Sequence, residues 1–358
     1  MLEMISFANI SGLNPILVVL DRGEEQLIID KSLLGYDIHR INVGYKEVDL
    51  RRLLSVPGIF RKLRKVITNK LEPNGTIVTS SFDMLFIARL LNIFHNYKIR
   101  HQVRDLHALQ LGDGAFSWAL RQLERSLLRR VEKIIVSSPK FSTEYYEKIY
   151  SGEIVLLENV PQKSVWSEFT RRRRANGEFV IGYIGILRYK ESLYKLIETT
   201  ERLAKEGMKI RVVFAGGGRA VDIADVQSKI SASGVFEFRG AYEYSKDIKR
   251  LYQDLDLIYA VYDENNRNCQ IAMPNKFYES ILSKIPILVA ANTYVGEQTL
   301  AHGIGEVVSL SDANNLYHLL RTAAEPNSWH ARASNKLQRM SPDIFYARHE
   351  QAMAKSVL

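Results

Sequence analysis

Short apolar runs alternate with amphipathic stretches along almost the whole chain, and this alternation restricts the fold more than any other feature. The apolar runs have the length and composition of buried strands, and the stretches between them repeat apolar residues at helical spacing. Because parallel strands need a crossover connection that is usually a helix, the pattern predicts a mostly parallel, doubly wound α/β architecture. The predicted strands lie at 16–20, 38–43, 76–80, 99–103, 133–136, 154–157, 179–184, 210–215, 235–239, 257–260, 287–290 and 306–309.

The alternation comes in two series, separated by a polar stretch at 162–176. A chain of 358 residues is too long for one typical domain and fits two, each with its own core. The sequence therefore predicts two Rossmann-like domains, at 1–162 and 163–341, with an interdomain cleft. Neither series has the G-x-G-x-x-G fingerprint of a dinucleotide-binding enzyme, so the ligand expected at the carboxyl ends of the strands is of another kind.

The composition indicates in which cellular compartment the protein is expected. The single cysteine, Cys269, excludes an internal disulfide and a thiolate metal cluster, which fits a reducing cytoplasm. No apolar run approaches the roughly 20 residues of a membrane span, and the N-terminal segment has no basic, signal-like start. The prediction is a cytoplasmic protein, soluble or peripheral on the inner face of the membrane. Its formal charge of +9 favours phosphate-bearing partners without choosing among them.

Two basic amphipathic helices are predicted in the first domain, at 51–70 and 116–130. The first has no acidic residue, and the second carries Trp118 among its arginines. Two interpretations stay open: a solvated outer face, or contact with an anionic membrane surface. Nucleic acid is a poor alternative, because the basic runs lack interleaved aromatic residues at a sheet face.

Four motifs of the second series are expected to project from strand ends toward one crevice. Glycines there let the backbone turn and a ligand approach closely, and nearby cations suit a diphosphate. Each motif alone is weak, because glycine after a strand is mostly turn chemistry, but their succession is a stronger signal. In chain order they are Gly185 with Arg188 and Lys190, Gly216 with Gly217 and Gly218, Arg239 with Gly240, and the turn at 274–279.

The turn at 274–279 begins the helix that feeds the strand at 287–290. Pro274 suits the first turn of a helix, since its missing N–H has no partner to lose there. The first-turn amides, including those of Asn275 and Lys276, then offer an anion the positive end of the helix dipole, and Glu279 suits ligand hydroxyls beside that charge. An ordinary α/β helix with surface charges is the alternative.

The succession of these motifs resembles glycosyltransferase family 4, retaining glycosyltransferases of the GT-B fold, and within it the branch that builds bacterial surface polysaccharides. The resemblance implies a donor domain at 163–341 and an acceptor domain at 1–162, completed by a C-terminal helix at 342–358. It is clearest from 180 to 305, through 185–190, 214–218, 239–240, 252–256 and 274–279, and in the first half it includes 103–107 and 134–139.

The resemblance also implies roles for particular residues. The donor is a nucleotide-sugar, a UDP- or GDP-sugar, held mainly by the second domain. Arg188 and Lys190 hold the diphosphate, Glu279 accepts hydrogen bonds from the ribose, and the backbone around Arg239 meets the base.

Two residues of the first domain, Asp105 and His107, follow a predicted strand and are candidates for the acceptor side. Asp105 is expected to bind the acceptor, and His107 to orient a sugar hydroxyl or relay a proton. The alternative is a loop-capping aspartate beside a surface histidine.

The sequence departs from the family pattern at three places. Ile271 stands where the family has a second glutamate, eight positions before Glu279, and Glu264 offers an acid at a different spacing. Ile186 replaces an arginine often found after the strand-end glycine, and the glycine-rich loop of the first domain is reduced to Gly23. These changes put carboxylate recognition of the donor sugar, and acceptor binding, in question.

The predicted chemistry needs no metal, because cations and helix-start amides stabilise the departing diphosphate and no Asp-x-Asp pair follows a strand. The overall prediction is a retaining glycosyltransferase that acts on a lipid-linked or oligosaccharide acceptor in cell-surface polysaccharide synthesis. Two alternatives remain: a sugar-nucleotide epimerase of the same architecture, and a catalytically silent nucleotide-sugar binding protein.

Overall fold

The computed structural model describes residues 2–21, 36–42, 50–172, 177–217, 228–230, 234–312 and 314–358. The chain divides into two compact units. Unit 1 consists of Met1–Leu157 and Glu350–Leu358, and unit 2 of Glu158–His349. The sequence-based boundary at 162 differs from this division, because Glu158 contacts residues of unit 2: its carboxylate accepts a hydrogen bond of 2.5 Å from Tyr278.

Unit 1 contains parallel strands with helices between them. Strands β3 to β6 form one four-stranded parallel sheet in sequential order, and β1 and β2 form a parallel pair. The predicted helix at 24–34 and Gly23 lie outside the described residues. The strands are β1 Ile16–Asp21, β2 Asp37–Asn42, β3 Thr76–Thr79, β4 Lys98–Val103, β5 Lys133–Val136 and β6 Glu153–Leu156, and the helices are α1 Leu2–Ile10, α2 Leu50–Lys70, α3 Phe82–Leu91, α4 Ala108–Leu111, α5 Ala115–Leu128 and α6 Pro139–Glu144.

Unit 2 is organised by a six-stranded parallel sheet. Its helices are α7 Lys163–Trp166, α8 Lys190–Lys205, α9 Tyr244–Tyr252, α10 Arg267–Ile271, α11 Asn275–Ser283, α12 Tyr294–His302, α13 Asn315–Ala323 and α14 Trp329–Arg339, and α15 Asp343–Val357 continues into unit 1. Its strands are β7 Phe179–Ile184, β8 Ile210–Ala215, β9 Phe236–Phe238, β10 Leu257–Ala260, β11 Ile287–Ala290 and β12 Gly305–Val308.

The strand order of this sheet is β12-β11-β10-β7-β8-β9. Counted from β7, this is the 3-2-1-4-5-6 order of a Rossmann sheet, in which ligands bind where the order reverses. The reversal lies between β7 and β10, so the crevice at their carboxyl ends is the expected binding place within unit 2.

Side chains alternate between the two faces of the unit 2 sheet, and each face packs against its own apolar cluster. On β7, Ile181 and Tyr183 belong to one apolar cluster, whereas Val180 and Ile184 belong to the other. Burial on both sides explains why these strands are almost continuously apolar in sequence, as parallel strands covered by helices are.

The polar stretch predicted as a linker at 162–176 contributes to the core of unit 2, so this part of the prediction was wrong. Trp166 on α7 is buried and packs edge-on against Tyr252, with ring centres 5.2 Å apart. Arg171, also in this stretch, donates to the carbonyl oxygen of Leu255 at 2.7 Å and to the carboxylate of Asp256 at 3.0 Å. Val165 and Phe169 pack against the same core, but three apolar residues in a polar run are too few for a periodic signal, so sequence reasoning missed them. Residues 173–176 and most of the predicted helix at 223–232 lie outside the described residues.

Arg100 on β4 caps the C-terminal end of α15 within unit 1. Its buried guanidinium donates to the carbonyl oxygens of Ser356, Val357 and Leu358 at 3.0, 2.6 and 3.2 Å, and its Nε donates to Glu132 at 2.7 Å. The last carbonyls of a helix have no partner within it, so these bonds fasten the C-terminus to the sheet.

We therefore expect Arg100→Met to lower the free energy of unfolding by about 2–4 kcal/mol, because it leaves helix carbonyls without a donor and Glu132 without its ion pair. Urea denaturation followed by circular dichroism measures this loss. Lys148→Met, at an exposed position, is the matched control and should stay within about 0.5 kcal/mol of the wild type. Equal stability of the two variants would contradict the capping role.

His101, also on β4, is buried with its Nδ1 2.8 Å from the hydroxyl of Thr79. Desolvation lowers its pKa from 6.5 to about 4, so the ring is neutral at pH 7. Because the pKa of His101 is lower in the folded than in the unfolded state, its burial does not reduce the free energy of unfolding above about pH 6.5. As the pH falls from 6.5 toward 4, the unfolded state binds the proton first and the free energy of unfolding decreases. The His101→Gln variant should lack about 3 kcal/mol of the pH dependence that the wild type shows across that window, measured as urea denaturation at a series of pH values. Parallel pH curves for the two proteins would contradict this prediction.

Across the described ranges, no helix combines the length and apolarity that crossing a bilayer requires.

Candidate functional site

The loops after β7, β8 and β9 are joined backbone to backbone at the carboxyl end of the unit 2 sheet. The amide of Gly185 donates to Ala215 at 2.8 Å, and the amide of Gly216 donates to Gly240 at 2.8 Å. Leu187 donates to Gly217 at 2.9 Å. The structure thus brings together the three glycine motifs that the sequence predicted; Gly218 lies outside the described residues.

Gly216 is the position at which this contact requires glycine. It has a φ of +144°, and a Cβ there would lie 1.8 Å from the carbonyl oxygen of Gly185. No side chain fits such a gap, so the two loops can touch only because the residue lacks a Cβ. Gly185 and Gly240 also have positive φ, of +149° and +69°.

The loop after β7 carries Arg188 and Lys190 and contacts the segment after β10. The guanidinium of Arg188 lies 5.0 Å from the ring centre of Tyr189, and Lys190 is the first residue of α8. The Tyr189 ring lies 5.1 Å from that of Tyr262, and its hydroxyl lies 3.3 Å from Cys269 Sγ. Because β7 and β10 flank the reversal of strand order, this aromatic contact lies at the crevice of the Rossmann sheet.

Neither Tyr189, Tyr262 nor Cys269 was a candidate in the sequence analysis. The available signal was their position, since both tyrosines come within a few residues of a strand end. Desolvation, followed by the hydrogen bond to Cys269, raises the pKa of Tyr189, so its hydroxyl stays neutral.

Helix α11 begins at Asn275, and Pro274 is its N-cap with extended backbone, at φ −76° and ψ 153°. The sequence placed Pro274 within the first turn, and the difference is one residue. The proline preserves the effect expected of it, because it ends the extended segment where the helix begins. The helix is nine residues long, and the amides of its first turn have no acceptor within the helix.

Glu279 of α11 is fully buried, and each of its oxygens accepts two hydrogen bonds. Oε1 accepts from Tyr244 and Asn275, both at 2.9 Å. Oε2 accepts from Lys276 at 2.5 Å and from the hydroxyl of Tyr252. A carboxylate has about four acceptor positions, so this one is saturated by its own chain. The sequence predicted an acceptor for ribose; the structure shows a carboxylate that ties together α11 and α9.

Tyr244 links this carboxylate to the loop after β9. It is the first residue of α9, shortly after Gly240, and its hydroxyl also accepts from Nε1 of Trp166 at 3.2 Å. Desolvation and then the charge of Glu279 raise its pKa, so it remains a donor to the carboxylate. All four predicted motifs of the second series are therefore connected, three through backbone bonds and the fourth through Tyr244.

The side chain of Arg239 is held by its own strand, because its guanidinium bonds to Glu237 at 2.7 and 3.2 Å. Its backbone amide donates to Phe214 at 2.8 Å. The expected contact with a base therefore stays a prediction about the backbone.

Ile271, which stands in place of the second family glutamate, and Glu264, the acid at a different spacing, are both buried. Ile271 ends α10. Glu264 follows β10, and its Oε1 accepts from Ser309 at 3.2 Å and from the amide of Leu310 at 3.0 Å, whereas Oε2 has no hydrogen-bond partner among the described residues.

Within unit 1, Asp105 and His107 lie in the exposed loop between β4 and α4. His107 is the N-cap of α4: its Nδ1 accepts from the amide of Leu109 at 3.2 Å, and its own amide donates to Gln110 at 2.9 Å. Since Nδ1 accepts, the neutral ring carries its proton on Nε2. This surface cap matches the histidine part of the alternative interpretation, and it leaves Nε2–H as a donor.

A buried carboxylate that sequence reasoning missed supports this loop. Glu124 of α5 is fully buried and accepts from Gln110 at 3.0 and 3.1 Å, from Tyr145 at 2.6 Å and from Tyr146 at 3.1 Å. Burial raises its pKa despite these bonds. In sequence, Glu124 lies among arginines and resembles a surface residue, so only the packing reveals it.

No three His, Cys, Asp or Glu side chains converge as a metal site would require in the parts of the chain that the structure describes. Independence of a metal stays a prediction.

No protein-family model and no curated protein matches the sequence. Solved structures do match over nearly the whole chain. Sucrose-phosphate synthase from Thermosynechococcus elongatus superimposes with a TM-score of 0.73 at 13% identity, over 99% of this chain and 91% of that one. HepE from Anabaena, in complex with UDP and glucose, has a TM-score of 0.67 at 13% identity, over 95% and 92%. A putative UDP-N-acetylglucosamine 2-epimerase from Listeria monocytogenes has a TM-score of 0.63 at 10% identity, over 94% and 87%.

At such low identity the likeness concerns the fold alone, and the fold agrees with the strand order and the division into two units. The chain has the GT-B fold, with two Rossmann-like domains in one polypeptide.

Proposed function

We propose that this protein is a retaining, metal-independent glycosyltransferase that moves a sugar from a nucleotide-sugar donor to a lipid-linked or oligosaccharide acceptor in cell-surface polysaccharide synthesis. The observation that carries the proposal is the set of backbone hydrogen bonds joining the Gly185, Gly216 and Gly240 loops. These bonds place backbone atoms without side chains at the point where the strand order reverses, and Arg188 and Lys190 lie on the first of the three loops. The GT-B fold supports it, since the HepE structure holds UDP and glucose.

The donor diphosphate is assigned to Arg188, Lys190 and the amides of Asn275 and Lys276. As the bond to the sugar breaks, negative charge grows on the leaving phosphate, and these fixed donors stabilise it without reorganising. In a retaining reaction without a protein nucleophile, the leaving phosphate itself takes the acceptor proton.

Glu279 can bind a ribose hydroxyl only under one condition, because its carboxylate is already saturated with hydrogen bonds. A ribose hydroxyl reaches it only by replacing one of four donors, and Asn275 and Tyr244 are the uncharged pair on Oε1. We assign Glu279 a second role, which is to hold Lys276 and Asn275 at the helix start. The base is assigned to the backbone around Arg239 and Gly240.

On the acceptor side, Nε2–H of His107 donates to a sugar hydroxyl and orients it, while Asp105 binds the acceptor. A histidine whose Nδ1 already caps a helix is better suited to orient than to remove a proton. A lipid-linked acceptor places the enzyme in the cytoplasm, on the inner face of an anionic membrane. Nucleic acid is not a proposed partner.

The test is a thermal-shift and turnover experiment with UDP, GDP, UDP-glucose and GDP-mannose. A ligand at about 100 times its Kd adds about 2.7 kcal/mol to the stability of the native state, so the matching nucleotide should raise Tm by several degrees. Slow release of free nucleoside diphosphate from the matching sugar supports a transferase. No Tm shift with any of the four would overturn the proposal.

The second candidate is a sugar-nucleotide epimerase, favoured by the shared fold with the Listeria epimerase. Conversion of the donor to an isomeric nucleotide-sugar, without release of nucleoside diphosphate, would establish it. Saturable binding with no chemical change would instead support a silent binding protein, for which Ile271 in place of an acid is the motivating observation.

A further inference from the structure

Helix α4, which His107 caps, is a single turn of four residues. A helix this short is not stable by itself, because forming its first turn fixes several residues for one hydrogen bond. Its shape, and with it the position of His107, therefore depends on contacts with neighbouring elements. Helix α5 packs against α4 and supplies two such contacts, from Arg121 and Glu124.

Arg121 holds the main chain at the end of α4. Its Nη1 donates to the carbonyl oxygens of Gln110 and Gly112 at 2.9 and 2.6 Å. The last carbonyls of a helix have no partner within it, so the guanidinium satisfies groups that α4 leaves open. The start of the helix, where His107 lies, is held by Glu124 instead.

Glu124 acts on the start of α4 through the side-chain amide of Gln110. Nε2 of Gln110 donates to both oxygens of the carboxylate, at 3.1 and 3.0 Å, and Oε1 accepts from the amide of His107 at 2.9 Å. The reverse orientation would turn the Gln110 oxygen toward the carboxylate and its NH2 group toward the His107 N–H, so both contacts would be repulsive. The carboxylate therefore fixes which way the Gln110 amide faces, and only this orientation offers an acceptor to His107.

Glu124 is itself held by the two tyrosines that follow α6. Tyr146 donates to Oε1 at 3.1 Å and Tyr145 to Oε2 at 2.6 Å, so each oxygen accepts two hydrogen bonds. Burial raises the pKa of both tyrosines, so their hydroxyls stay protonated and remain donors. Because Glu124 is fully buried, it does not touch a substrate, and its influence on a reaction passes through Gln110.

We propose that Glu124 is a positioning residue for His107, which acts through the amide of Gln110. With Gln110 in place, Nδ1 of His107 accepts from the amide of Leu109 at 3.2 Å, and the proton of the neutral ring stays on Nε2. Without it, the cap loosens and the proton exchanges between the two ring nitrogens. The inference rests on the proposed function, in which Nε2–H of His107 orients an acceptor hydroxyl, and it assigns the residue that keeps this donor in place.

The tautomer of His107 is measured by nitrogen NMR on the full chain with isotope-labelled histidine. At about pH 8, where free imidazole is neutral, a ring whose proton is fixed on Nε2 shows two widely separated nitrogen resonances, and exchange between tautomers brings them together. The chain has eight histidines, and the His107→Gln variant identifies the signals of this one. We expect widely separated resonances in the wild type.

Two variants remove the link between Glu124 and His107. Gln110→Met takes away the amide and should bring the two resonances of His107 closer together. Glu124→Leu combined with Tyr145→Phe and Tyr146→Phe should do the same, because Gln110 loses its acceptor while no tyrosine hydroxyl is left unpaired. Tyr146→Phe alone is the matched control: it removes one bond to Glu124 and lowers stability, but it keeps Gln110 in place and should leave the resonances unchanged.

Exchanging the two side chains tests the direction of the amide. In Gln110→Glu combined with Glu124→Gln, the carboxylate at position 110 accepts from the His107 amide, and the NH2 group at position 124 donates to that carboxylate. The wide separation of the His107 resonances should therefore return, although the charge has moved to the other helix.

Resonances that stay widely separated in both Gln110→Met and the apolar triple variant would overturn the proposal. So would an equal change in Tyr146→Phe, since the carboxylate would then act only through packing. The Tm shift with UDP or GDP is measured on the same variants and should keep its wild-type size, because the nucleotide is assigned to unit 2. If the wild type shows no Tm shift, the proposed function fails, whereas the spectra of His107 still decide whether Glu124 positions it.

Discussion

Replacing Glu279 with alanine is expected to lower the free energy of unfolding by about 3–5 kcal/mol and to abolish the Tm shift with nucleotide. The change leaves the buried Lys276 without its counter-charge and removes the acceptor of Asn275, Tyr244 and Tyr252. Breaking a buried pair by removing one partner costs this much, because the remaining charge is left uncompensated. Urea denaturation followed by tryptophan fluorescence measures it, since Trp166 and Trp329 both lie in unit 2.

Two further variants separate stability from function in this experiment. Glu198→Ala removes an exposed glutamate of the same unit and should change stability by less than about 0.5 kcal/mol. Lys276→Met combined with Glu279→Leu replaces the ion pair by apolar groups and should regain part of the lost stability, but not nucleotide binding. If Glu279→Ala unfolds within about 1 kcal/mol of the wild type, the carboxylate does not hold this helix start as described.

The second large effect is expected at Gly216. Gly216→Ala places a methyl group where the carbonyl oxygen of Gly185 lies, at 1.8 Å, on a residue with φ +144°. The two loops must then separate, which disrupts the backbone hydrogen bonds that join the loops after β7, β8 and β9. We expect a loss of at least about 3 kcal/mol in the free energy of unfolding, since backbone strain and displaced contacts add, and a loss of the Tm shift with nucleotide.

The neighbouring residue provides a matched control. Gly217 has no atom within 4 Å of a Cβ built on it, so Gly217→Ala should fold with nearly wild-type stability. Comparing the two alanine variants by urea denaturation and by thermal shift with UDP and GDP isolates the contact from the general effect of removing a glycine. Gly216→Ala with wild-type stability and binding would refute the close approach of the loops.

The fold was predictable because its signals are local and repeated. Strands such as β7 and β8 are continuous apolar runs, since a parallel sheet covered on both faces excludes polar residues from either side. The glycines that follow β7, β8 and β9 were visible too, because each comes within two residues of the end of an apolar run. The boundary near 162 was not, because Val165, Trp166 and Phe169 join the core of unit 2 from a polar run that is too short to show a period.

The segments that meet at the candidate site were visible in the sequence, whereas the contacts of their side chains were not. Glu279 was expected to face a ligand, but Tyr252, one of the four donors that saturate it, lies 27 positions away in sequence. Glu124 has the same kind of distant partners in Tyr145 and Tyr146. In neither case does a sequence pattern predict which hydroxyl donates to which carboxylate.

The sequence by itself determined the α/β class, the two series of strands and the glycines at the strand ends, because periodicity and backbone freedom are properties of neighbouring residues. Only the tertiary structure decided that Gly216 touches Gly185, that Glu279 is buried and saturated, and that Trp118 is exposed whereas Trp166 is buried. Burial and hydrogen-bond partners depend on which distant segments pack together, and that information appears only once the chain has folded.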